Sequence, residues 1–323
     1  MPSVFLDGHF IARDDARVSA FDAGFQHGVG LFETLLAVRD GQDARILHLQ
    51  EHVERLRVSA ATLGLSESLR AGALEEAVRR AADHSAAEYP AAQRLRLRLT
   101  ITGGDLNMLS GAGQSAHSPT LLIVGQPATE YPPEMFARGT LVTLADFRPS
   151  PLDPMQGHKT LNYWGRLREL QLAAAKGAGE ALVFSVTNHL VGGCVSNAFV
   201  VRDDTLYTPI ARGEEEEVAG GDFVDDLDAS PSPRQPGGPV LPSPVLPGIV
   251  RRWVLDWALG AGLTTRRRML SLDDLLTADE VFLTNSSWGV LPVVRLEAEN
   301  IGPGHPGPIA IDLTRAWNEL TSH

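Results

Sequence analysis

Residues 94–101 read Arg-Leu-Arg-Leu-Arg-Leu-Thr-Ile, and a strict two-residue period of this kind is the signature of a half-buried strand. Leu95, Leu97, Leu99 and Ile101 then face a core, while Arg94, Arg96, Arg98 and Thr100 form one basic face. Such a strand needs neighbours on both edges and cover over its apolar side. The flanking sequence offers them. Val4 to Ile11, turning at Asp7-Gly8-His9, reads as a hairpin. Leu49, Val53, Leu56, Ala60 and Leu63 recur at helical spacing, so a helix is expected over 48–63, ending at Gly64, with a second near 72–84. Thr120 to Val124 is a further strand. Residues 1–124 are thus expected to form a small α/β domain. The polar, proline-bearing stretch 125–133 is expected to link it to a large domain, 134–323. There the pattern becomes strand, lysine-bearing turn, helix, two strands, helix and strand.

Composition narrows the function. A chain of 323 residues with 43% hydrophobic content can bury a large core, and a formal charge of -12 argues against a nucleic-acid surface. The single Cys194 cannot form an internal disulfide, which fits a reducing cytoplasm. The N-terminus lacks a basic region before an apolar stretch, and no apolar run is long enough for a bilayer, so neither secretion nor a membrane role is expected. No metal-spaced histidines, Gly-x-Ser-x-Gly elbow or Walker loop is present. One segment stands apart. Residues 213–244 carry Glu214 to Glu217, Asp222, Asp225, Asp226 and Asp228 against the single Arg234, followed by a proline-, serine- and glycine-rich run. They are expected to be a mobile acidic insertion inside the large domain.

Of 28 basic side chains only Lys159 and Lys176 are lysines. Lys176 precedes glycine at a helix end, where a cation suits the dipole. Lys159 opens a polar and aromatic run, Gly-His-Lys-Thr-Leu-Asn-Tyr-Trp-Gly. A neutral lysine amine condenses with an aldehyde to a Schiff base, which arginine cannot do, so Lys159 is the catalytic candidate. Pro247-Gly248 breaks the chain before an apolar-periodic helix over 249–259, leaving the amides of Gly248, Ile249 and Val250 as an anion site. Thr284 to Ser287, after the strand from Glu280 to Leu283, brings hydroxyls to a strand end, and Arg55 can add a charge.

Together these motifs resemble the class IV aminotransferases, the fold type IV pyridoxal-phosphate enzymes that include branched-chain aminotransferase, D-amino-acid aminotransferase and aminodeoxychorismate lyase. Phe21 to Thr34, His52-Val53-Glu54-Arg55-Leu56, Lys159-Thr160-Leu161-Asn162, Ser196-Asn197-Ala198-Phe199, Leu246-Pro247-Gly248-Ile249 and Thr284-Asn285-Ser286 followed by Pro292-Val293 carry the resemblance in order. It implies a mixed α/β fold of two domains with pyridoxal 5'-phosphate at their interface. The Schiff base would form on Lys159, which would also shuttle the proton between substrate and cofactor. Arg55, the amides at Gly248, Ile249 and Val250, and Ser286 would hold the phosphate. Tyr163 would meet the phenolic oxygen, and Ser196 and Asn197 would border the cofactor. His27 and Phe32 would line the substrate pocket. A homodimer is implied, acting on an amino acid and a 2-oxo acid as an aminotransferase, or as a lyase of the aminodeoxychorismate type.

One position departs from that pattern. Where relatives carry a glutamate for the pyridine nitrogen, five residues before the asparagine of Ser-Asn, this chain has Gly192. Either another residue takes the role or turnover is impaired, and a glutamate restored at 192 is expected to speed the reaction if it fits. The loop 103–108 also lacks an arginine that relatives often place after the strand.

Overall fold

The computed structural model describes residues 2–41, 43–105, 119–216 and 241–322. Among them, strands assemble into one sheet of six and one of nine. The first contains β1 (Ser3–Leu6), β2 (His9–Ala12), β3 (Gly30–Asp40), β4 (Asp43–Ile46), β5 (Arg94–Thr102) and β6 (Leu121–Pro127). Their order is β2-β1-β6-β5-β3-β4, and every pair is antiparallel. The alternating segment is β5, with Leu97 and Leu99 fully buried. Its apolar face lies under two helices, α2 (Leu49–Thr62) and α3 (Ala71–Glu88), following the short α1 (Ala23–His27). Helix α3 outruns the expected 72–84 because Ala81, Ala82, Ser85 and Ala86 continue its buried stripe. It stops at Tyr89, where the following Pro90 disfavours helical backbone. Strand β6 likewise runs on to Pro127, into the stretch expected to be linker, because β5 offers partners as far as Leu95. Residues 128–132 then lead to α4 (Pro133–Ala137).

The second sheet contains β7 (Thr140–Leu144), β8 (Glu180–Phe184), β9 (Leu190–Gly193), β10 (Asn197–Arg202), β11 (Thr205–Thr208), β12 (Thr264–Arg267), β13 (Glu280–Asn285), β14 (Gly289–Leu296) and β15 (Glu299–Asn300). Its main path is β12-β11-β10-β13-β14-β7-β8-β9, with β15 on β14. Alternate residues of β10 enter different cores: Ala198 and Val200 on one side, Phe199 and Val201 on the other. Both faces are therefore covered, and the strands read as continuous apolar runs. Phe199 stacks on Phe282 at 5.0 Å between ring centroids, beneath α6 (Ile249–Gly260) and the C-terminal α8 (Pro308–Leu320). Helices α5 (Trp164–Ala175) and α7 (Leu272–Leu276) complete the described elements.

Most of the acidic insertion, residues 217–240, lies outside the described residues, as do 106–108 of the loop after β5. The insertion's described ends are anchored, which corrects the reading of Glu214 as part of a solvated acidic run. Glu214 accepts from both terminal nitrogens of the buried Arg251, at 2.7 and 2.8 Å, because burying that guanidinium demands a countercharge. Glu215 accepts from the backbone amides of Gly213 and Ser243 across the base of the segment.

Candidate active site

The segment holding Lys159 meets the first sheet at the start of β3, where β4 does not reach. The Phe32 amide donates to the Lys159 carbonyl at 3.0 Å and the Leu161 amide to the Gly30 carbonyl at 3.0 Å, closing a bridge between Leu31 and Thr160. The lysine motif is thus tied to β3 by a single β-bridge, which fixes the height at which its side chain enters the space between the sheets. There it borders a cavity of about 620 Å³. Lys159 Nζ stands 4.4 Å from the Phe32 ring centroid and 5.4 Å from that of Tyr163. The two rings meet edge to face at 5.2 Å.

At one end of the cavity helix α6 begins. Its N-cap is Gly248, and no side chain caps the first turn, so the amides of Ile249 and Val250 remain unclaimed by a cap. Asn197 donates its side-chain amide to the Leu246 carbonyl at 2.8 Å and holds this approach in place. Arg55, from α2, joins it by donating to the Pro247 carbonyl at 2.9 Å. Its fork is aimed by Glu33 of β3, which accepts from Nε at 2.8 Å and from a terminal nitrogen at 2.6 Å. Burial would raise the Glu33 carboxyl, but the Arg55 charge and the His52 contact hold it down to about 2, so it is ionised. Burial chiefly pulls the His52 imidazole below its ordinary range, against the opposing pull of Glu33; its Nδ1 lies 2.7 Å from Glu33 and its Nε2 3.4 Å from the Ser286 hydroxyl. One buried carboxylate therefore orients both the arginine and, through the imidazole, the serine.

Among the described residues, three buried polar atoms on the cavity's lining residues lack a hydrogen-bond partner: His158 Nε2, Thr284 Oγ1 and Trp288 Nε1. Buried polar atoms are seldom left so in a site without a polar ligand. With the uncapped helix start and the Arg55 fork, the lining fits a phosphorylated aromatic aldehyde.

Lys159, Arg55, Tyr163, Phe32, Ser196, Asn197, Gly248, Ile249, Val250 and Ser286 all line this one cavity. His27 does not: it is exposed at the end of α1, whose start Asp22 caps. Four participants were not among the site candidates read from the sequence, although two of them lie on its basic strand face. Arg96 and Arg98 enter the cavity from the basic face of β5, with the Arg98 guanidinium 3.8 Å from the Phe32 ring centroid. Arg166 donates to the carbonyls of Gly193 and Cys194 at 3.3 Å each. Glu180 stands fully buried behind the wall made by 193–196. Cys194 is no nucleophile, since burial and the nearby Glu180 push its thiol up to about 12.

Residues 30–214 and 238–296 match the family model described as amino-transferase class IV. The chain is 26% identical to a putative branched-chain-amino-acid aminotransferase of Methanocaldococcus jannaschii, over 98% of this chain and 96% of that protein. It is 25% identical to a D-alanine aminotransferase of Staphylococcus epidermidis, over 100% and 99%. It superimposes on 4-amino-4-deoxychorismate lyase from Pseudomonas aeruginosa with a TM-score of 0.74 at 27% identity, covering 98% of each chain. The lysine between two sheets, the uncapped helix start and the family match agree: the chain belongs to the class IV aminotransferases, two-domain enzymes of fold type IV whose cofactor is pyridoxal 5'-phosphate.

Proposed function

We propose that the cavity carries out transamination between an amino acid and a 2-oxo acid. The observation that carries this reading is the convergence of Lys159 with an uncapped helix start and a carboxylate-aimed arginine in one enclosure. Bound there, pyridoxal phosphate supplies an aldehyde that condenses with amines and a ring that withdraws electrons from the substrate's α carbon. Lys159 would hold the cofactor and, once released, would be the base that accepts and returns the α proton. Arg55, the Ile249 and Val250 amides and Ser286 would hold the phosphate, and Tyr163 would meet the phenolic oxygen. Ser196 and Asn197 support the wall beside the ring. Arg96 and Arg98 offer the substrate carboxylate a cationic fork, while Phe32 shapes the apolar side of its pocket.

Exposed aromatics stand near these elements: Phe21 before α1 and Phe25 within it, 71% and 77% exposed, and Trp164 at the start of α5, 82% exposed. They support a homodimer in which His27 reaches the partner's pocket rather than its own. A single buried cysteine and the absence, among the described residues, of a helix long and apolar enough to cross a membrane support a cytoplasmic enzyme.

A lyase of the aminodeoxychorismate type is the second reading, supported by the likeness to the Pseudomonas enzyme. Single-turnover spectra with L- and D-amino acids separate the two. A transaminase converts bound cofactor to its amine form and releases a 2-oxo acid. A lyase leaves the aldehyde form in place. Retention of the aldehyde form with every amino acid would overturn transamination.

A further inference from the structure

A pyridoxal ring withdraws electrons well only when a protein group supports its ring nitrogen, usually a carboxylate. Position 192 cannot supply one. Gly192 has φ +143°, a conformation L side chains rarely adopt, and a Cβ there would lie 2.6 Å from the Ser196 carbonyl oxygen. The condition attached to a glutamate restored at 192, that its side chain fit, is not met: the backbone turn itself occupies the space.

A carboxylate nevertheless stands directly behind this turn. Glu180, the first residue of β8, is fully buried. Its Oε1 accepts from the Val195 amide at 2.8 Å and from the Ser196 hydroxyl at 3.0 Å, while Oε2 meets its neighbour's amide, Ala181, at 3.2 Å. Gly193 makes the room: a Cβ at 193 would fall 2.5 Å from Oε1 and 2.2 Å from the Ser196 oxygen. Gly193, Val195 and Ser196 all line the cavity, so only the turn's backbone and one hydroxyl separate this carboxylate from the ligand space. The two walls also differ in origin. Lys159 enters on the segment paired to β3, whereas 193–196 belongs to the second sheet. In a pyridoxal ring the aldehyde carbon and the nitrogen are para, so a ring whose aldehyde met Lys159 would carry its nitrogen away from the lysine's wall.

We propose that Glu180, acting through the Ser196 hydroxyl, is the acid that supports the cofactor's ring nitrogen in this chain. Ser196 donates its proton to Glu180, which leaves the hydroxyl oxygen free to accept a hydrogen bond from a protonated nitrogen, so the carboxylate's charge is felt at the ring without contact. Glu180 is on this account a positioning residue. Burial lifts its carboxyl to about 7, and the Arg166 charge across the same wall, with the hydrogen bonds it accepts, opposes that rise. The inference rests on the proposed function only in that the cofactor binds here.

The test compares cofactor-free protein binding pyridoxal phosphate with its binding the 1-deaza analogue, in which a C–H replaces the ring nitrogen. The native protein should favour the nitrogen-bearing cofactor by about ten- to a hundredfold, the range of one charge-assisted hydrogen bond. Glu180→Gln and Ser196→Ala should each shrink that preference, the ratio of the two affinities, by about tenfold, whatever either change does to both affinities in common. A preference that survives in Glu180→Gln refutes the proposal, as does one lost only in Arg166→Ala. Should Glu180→Gln not fold, Ser196→Ala decides, because the hydroxyl is the sole link proposed. Native protein that binds neither compound would instead overturn the cofactor site itself.

Discussion

Removing the charge of Glu33 tests how the phosphate end of the site is held. Glu33 is 1% exposed and makes two bonds to Arg55 and one to His52. Its carboxyl sits at about 2 against an ordinary 4.5, a difference of about 2.5 units, equivalent to about 3 kcal/mol between its charged and neutral forms. Breaking a buried pair by removing one partner costs about 3 to 5 kcal/mol, of the same order. Glu33→Gln preserves shape and one acceptor oxygen, so a loss near 3 kcal/mol is expected in equilibrium urea unfolding of cofactor-free protein at a fixed protein concentration. The sign with pH follows. A depressed folded-state value stabilises above the unfolded value of 4.5 and is lost as pH falls through about 2. The gap between native and Glu33→Gln protein should therefore be full above pH 4.5 and close toward pH 2. The variant should also lose affinity for inorganic phosphate, because Arg55 is no longer aimed. A gap below about 1 kcal/mol, or one independent of pH, would refute the assignment of Glu33 as the group that orients Arg55.

Lys159→Ala should abolish the visible absorption of the bound cofactor while leaving far-ultraviolet circular dichroism unchanged; if Lys176→Ala removed the band instead, the anchor has been misassigned. Gly192→Ala should lower stability by roughly 1 to 3 kcal/mol through its positive φ and the Ser196 carbonyl, and an unchanged unfolding midpoint would show that the turn can relax. Replacing residues 217–240 by a short Gly-Ser linker should leave the thermal midpoint nearly unchanged, whereas Glu214→Ala should lower it by about 3 kcal/mol equivalent, because Arg251 is then buried without its partner. Equal effects of the two changes would show that the anchor and the segment act as one unit.

Local patterns in the chain determined a good deal. The alternation in 94–101 dictated a strand with a buried leucine face, whatever its partners. The periodic leucines dictated α2, and Pro247-Gly248 dictated where α6 starts. Each is decided within a few residues by backbone sterics and side-chain periodicity, and is therefore written locally. Lys159 was conspicuous because its chemistry is unique among side chains. What the fold alone decided is which distant groups meet. Arg55 lies 22 residues from Glu33 and 192 from Pro247. Glu180 lies 16 residues from the hydroxyl it engages. Read along the chain it is an unremarkable acid before an apolar strand. Strand pairing turns it inward, behind a turn whose glycines leave room for it. The same holds for β6, whose last residues form a strand only because β5 extends beside them, and for Glu214, which a buried guanidinium takes out of an acidic run. Register and burial set these partnerships, and both are properties of the assembled sheets, since the electrostatic value of a carboxylate depends on which charges and how much water surround it after folding.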